Sequence, residues 1–115
     1  MRICHVVATL DPDYGGVPAV ALGLAVAQGQ LGHDVHLVSY ERPERKSVID
    51  AGLAEVPAGA VTLHRCASGG RLERVRARGA REVVRGLIDD VDVVHLHGVW
   101  EPIILAAAGV AHRAA

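Results

Sequence analysis

The constraint that weighs most on this chain is the order in which apolar stretches of two different periods follow one another. Ile3–Ala8 is a compact run rich in β-branched residues, and after a polar loop Val17–Leu31 is apolar on nearly every face. The second stretch is too long for a strand and suits a buried helix, with Gly32 as its stop. Val35–Tyr40 restores strand character, Glu41–Lys46 is a charged surface connection, and Val48–Val56 fits a short helix before a turn at Pro57–Gly59. Val61–Cys66 predicts a third strand. From Leu72 to Ile88 the apolar residues keep helical spacing, Asp89-Asp90 closes that helix, Val91–His97 predicts a fourth strand, and Pro102 suits the first turn of a last helix. Alternation of this kind predicts an α/β domain, a parallel sheet with helices on both faces joined by right-handed crossovers, and the doubly wound pattern gives it the strand order 3-2-1-4.

Composition narrows the partners. Twelve Lys and Arg stand against thirteen Asp and Glu, a formal charge of -1, so no global field draws the chain to nucleic acid or to an anionic membrane. Cys4 and Cys66 fall within predicted strands and lack metal or redox spacing, which predicts buried free thiols and, by default, a reducing cytoplasm. The first residues carry no signal-peptide pattern, and no apolar stretch reaches the roughly 20 residues that span a bilayer. Arg71, Arg74, Arg76, Arg78, Arg81 and Arg85 crowd one predicted helix. With Glu73 and Glu82 among them they read either as a solvated face or as a peripheral contact for acidic lipid or another domain.

In an open parallel sheet, ligands sit beyond the carboxyl ends of the strands, where strand order reverses. Strands one and four flank that point here, so the loops Thr9–Pro18 and His97–Pro102 hold the candidate site. Gly15-Gly16 before a helix lets bare backbone approach a ligand, and the amides around Gly16 and Val17 favour an anion such as phosphate; a simple tight turn is the other reading. A Walker lysine and the GxGxxG pattern are both missing, which argues against nucleotide hydrolysis and ordinary dinucleotide binding. His95 and His97 share one strand face, but no third ligand is evident from spacing, so no metal is expected, and His5, His33, His36, His64 and His112 form no usable pattern. His97, at the strand end, is the candidate for contacting a ligand hydroxyl or a developing charge, against a structural packing role. Trp100 either stacks on a ring or plugs the core, Glu101 either contacts ligand or favours the helix dipole, and Asp11 and Asp13 either bond substrate or form the turn.

Taken together, Ile3-Cys-His-Val-Val-Ala8, Gly15-Gly-Val-Pro-Ala-Val-Ala-Leu-Gly-Leu-Ala25, Leu31-Gly-His-Asp-Val-His-Leu-Val38 and Asp92-Val-Val-His-Leu-His-Gly-Val-Trp100 resemble, in order and over nearly the whole chain, the amino-terminal domain of family 4 (GT4) glycosyltransferases. These have the two-domain GT-B fold. The resemblance implies a Rossmann-like domain, residues 1–115 being an incomplete amino-terminal half, and retaining transfer of a sugar from a nucleotide-sugar donor to a sugar or lipid-linked acceptor. It implies no cofactor or bound metal. It places Gly15, Gly16 and Val17 near the donor phosphate or the acceptor, His97 near the reacting sugar, and Asp13, Tyr14, Trp100 and Glu101 as acceptor contacts. The carboxyl-terminal nucleotide-sugar domain of that family, with its paired glutamates, has no counterpart in these residues. The fragment is therefore expected to be inactive alone and prone to self-association, and a location in the cytoplasm or at the inner face of the membrane follows. A noncatalytic α/β assembly module and a metal-dependent hydrolase using His95 and His97 are the competing readings.

Overall fold

A computed structural model describes residues 1–115. Strands β1 (Arg2–Val7), β2 (Asp34–Tyr40), β3 (Thr62–Cys66) and β4 (Val93–His97) form one parallel sheet in the order β3-β2-β1-β4. That is the order predicted from the doubly wound pattern. Helices α1 (Gly16–Gln30), α2 (Lys46–Leu53), α3 (Arg71–Arg76), α4 (Arg78–Leu87) and α5 (Pro102–Ala114) connect and follow the strands. The pleat divides the strand residues between two cores. Val7, Val35 and Leu37 meet Ala21, Ala25 and Ile49 on the α1–α2 face, whereas Cys4, Val6, Val38 and Cys66 meet Ala80, Val84, Ile103 and Val110 on the other. Both cysteines are buried and unpaired, as expected. No helix is long and apolar enough to cross a membrane.

Helix α1 departs from the expectation that it is buried all round. Only Pro18, Ala21 and Ala25 are buried, while Val17, Val20 and Leu31 lie exposed. Small side chains along the inward stripe draw the helix axis close to the sheet, and the larger apolar residues are left on the outer side. At its last turn, α1 runs against the backbone of Ala60, so closely that an added Cβ at Gly29 would overlap the Ala60 carbonyl.

The helix expected from Leu72 to Ile88 is two helices. Ala77, fully buried, takes the left-handed conformation (φ 49°) and separates α3 from α4. Leu72 and Val75, which suggested a continuous stripe, point to solvent. Glu73 holds the junction together: its carboxylate accepts the Gly79 amide at 2.8 Å and the Tyr40 hydroxyl at 3.2 Å. A carboxylate on first-turn amides of α4 also complements the positive end of that helix.

Candidate functional site

The loops after β1, β2 and β3 enclose a cleft of about 520 Å³ at the carboxyl edge of the sheet, bordered by Thr9, Tyr14, Tyr40, Arg42, Ser68 and Arg74 among others. A smaller pocket of about 60 Å³ adjoins it at the β1–β4 switch, where Val7, Ala8, Thr9, Tyr14, Val17, Pro18, His97 and Glu101 meet. Four of the residues singled out from the sequence, Tyr14, Val17, His97 and Glu101, therefore converge on one spot. Gly15 caps α1 with φ 89° and ψ −163°, a combination that only glycine adopts readily. Gly16 has open space where a side chain would project, and no side chain caps the amides of this turn.

The other nominated residues lie apart from that pocket. Trp100 is 83% exposed, which removes the core-plug alternative. Asp13 pairs with Arg45 and is not free in the cleft. Asp11, buried beside it, accepts Arg45 Nε at 2.8 Å, Arg45 Nη2 at 3.0 Å and Arg42 Nη1 at 3.3 Å, and its Oδ1 takes the Asp13 amide in a turn. The Arg45 hydrogen bonds foremost hold the Asp11 carboxyl down at about 2. The two aspartates thus tie the glycine loop to the segment after β2. Arg42 also lies over the Tyr14 ring, 5.7 Å from its centroid, and sets that side chain at the boundary of the two cavities. Arg42 and Arg45 escaped the sequence reading. Their position directly after a strand end was the available signal, because all such loops in a parallel sheet open on the same edge.

The histidines hold the larger surprise. Across the β1–β4 ladder His5 pairs with His95 and Val7 with His97, so His5, His95 and His97 rise from the same face. This corrects the view that His5 forms no pattern and that His95 and His97 lack a third companion. His5 Nδ1 lies 2.8 Å from His97 Nε2, and His5 Nε2 lies 2.6 Å from Gln28 Oε1 on α1. The amide oxygen fixes the His5 proton on Nε2, so Nδ1 accepts from the His97 Nε2–H. Burial, then the neighbouring His95 and His5, push His97 down to about 4; burial also lowers His5. Both rings are neutral at neutral pH, and His97 stands at the pocket as an uncharged hydrogen-bonding group.

Compared with known proteins, the chain matches no family model, no curated sequence and no solved structure at a significant level.

Proposed function

We propose that the chain is the acceptor-side, Rossmann-like domain of a retaining GT4-like glycosyltransferase of the GT-B fold, working with a second domain that holds the nucleotide-sugar donor. One observation carries this reading: the uncapped start of α1, His97, Tyr14 and Glu101 converge at the β1–β4 switch beside a cleft of sugar-accommodating size. In this reading, amides at Gly16 and Val17 stabilise negative charge developing on the departing diphosphate, an electrostatic task that suits preorganised backbone donors. Neutral His97 hydrogen-bonds a hydroxyl of the reacting sugar, Tyr14 and Glu101 orient the acceptor, and exposed Trp100 stacks on it from the rim with Asp13 nearby on the glycine loop. Holding donor and acceptor together requires both halves of the cleft, so the 115-residue chain alone transfers no sugar.

The test uses the full-length polypeptide with a panel of nucleotide sugars and acceptors. Gly16→Val, at a position where an added Cβ meets no protein atom within 4 Å, is expected to obstruct ligand approach to the helix amides, and His97→Ala removes one transition-state hydrogen bond; each should lower kcat/KM about 100-fold. Unchanged binding and turnover in both variants would remove the assignment. Robust transfer by residues 1–115 alone would remove the two-domain requirement.

A noncatalytic assembly or peripheral membrane module is the second reading. Val75 and Leu105, both exposed, border a hollow shared with Arg76, Arg78 and Arg81 between α3, α4 and α5. A basic rim around apolar side chains suits an acidic lipid surface or another chain. Full-length protein that associates through this face but handles no nucleotide sugar would favour it.

A further inference from the structure

We propose that His5, His95 and His97 bind one divalent late-transition-metal ion, with zinc as the representative, on the α1 face of the sheet. Three imidazoles on adjacent strands present one ligand nitrogen each, and these atoms lie within 4.8 Å of one another. Zinc–nitrogen bonds of about 2.0–2.1 Å need ligand nitrogens about 3.4 Å apart in a tetrahedral set, and modest ring rotation about the outer side-chain torsions closes that gap. The rings already crowd one another, with centroids 5.2, 5.1 and 4.1 Å apart.

The surroundings fit a ligand set as well. Metal-bound histidine commonly donates its other ring N–H to a carbonyl oxygen, and Gln28 Oε1 takes the His5 Nε2–H in this way, leaving Nδ1 for the ion. The His5–His97 hydrogen bond is the contact a metal would replace. His97 then binds through Nε2 with its proton on Nδ1, so the ring stays neutral and loses no net proton. His95 is exposed, which leaves a fourth coordination position open to water or a small anion. With imidazoles alone, and neither thiol nor carboxylate in the group, the set selects zinc, nickel, cobalt or copper over magnesium or calcium. The site shares His97 with the transferase reading and departs from the metal-free expectation that the resemblance carried, and its test involves no sugar transfer.

The purified protein, stripped with a chelator, is titrated with Zn²⁺ against a chromophoric competitor. One equivalent is expected to bind with a Kd of about 1 μM or below. Cobalt in its place should give the visible bands of a tetrahedral ion without a sulfur charge-transfer band. His95→Ala, which removes an exposed ring, is expected to weaken zinc binding at least tenfold and to reduce the rise in Tm on zinc addition. His64→Ala, in the separate His36–His64 pair on β2 and β3, should change neither. Absence of binding at micromolar zinc, or equal binding by the wild type and His95→Ala, overturns the site; either result leaves the transferase reading as it was.

Discussion

Gly29→Ala is expected to destabilise the domain by about 2 kcal/mol or more, although helix propensity alone argues the opposite. Glycine within a helix costs about 1 kcal/mol relative to alanine, so substitution at an unobstructed site should help. At position 29 a Cβ would stand 2.8 Å from the Ala60 carbonyl carbon and still nearer its oxygen. Those are backbone atoms at the approach to β3, and they have no rotamer through which to retreat. Overpacking of a tight contact typically costs about 1–3 kcal/mol and more when the obstruction is rigid, which exceeds the propensity gain. Gly23→Ala in the same helix provides the contrast, since no atom lies within 4 Å of its added Cβ. It should raise stability by about 0.5–1 kcal/mol. Denaturant unfolding of the two variants checks both signs, and a Gly29→Ala protein as stable as Gly23→Ala would refute the close approach.

The second large effect is a loss of stability on mild acidification, centred on His97. Its folded pKa of about 4 lies below the usual 6.5, so between these values the unfolded chain binds more protons than the folded one. Stability therefore falls as pH drops through that window, and the penalty is complete below pH 4. A shift of this size corresponds to roughly 3 kcal/mol at full expression. His5 and His64, also lowered by burial, act in the same direction. The carboxylates Asp11 and Asp34, paired with arginines, and Asp50, held by Lys46 and then Arg65, are lowered by these cationic partners, so their loss falls at lower pH, below the usual carboxylate range. His97→Gln should flatten the dependence between pH 6.5 and 4 by about one proton, read from unfolding free energies with chelator present throughout. A variant profile parallel to the wild type would contradict the assignment.

The strand order was legible because it follows from long-range rules applied to a clear β-α-β rhythm: each crossover returns on a fixed hand, and the polar loop before α1 marks the switch. The division at Ala77 was not. Spacing from Leu72 to Ile88 satisfies a helix, and only the buried methyl of Ala77 and the reach of Glu73 to the Gly79 amide decide for a break. The candidate site divides the same way. Gly15, Gly16 and His97 could be located because each lies at an element boundary. His5 could not, since periodicity within one strand says which residues share its face but nothing of the register that sets His5 opposite His95. Arg45 and Asp11 meet across 34 positions of sequence, a pairing that only the closed sheet edge creates. The segments that carry the glycosyltransferase resemblance contain all three histidines, but as separate strands they do not reveal that His5 and His95 stand side by side.

Trp100 gives the chain an optical property of its own. It is the single tryptophan in a sequence without phenylalanine, and it stands 83% exposed on the loop after β4. Its emission in the native protein should already resemble that of the unfolded chain, making intrinsic fluorescence nearly blind to denaturation. Unfolding of this chain is therefore followed through its backbone, by far-ultraviolet circular dichroism, and not through its one indole.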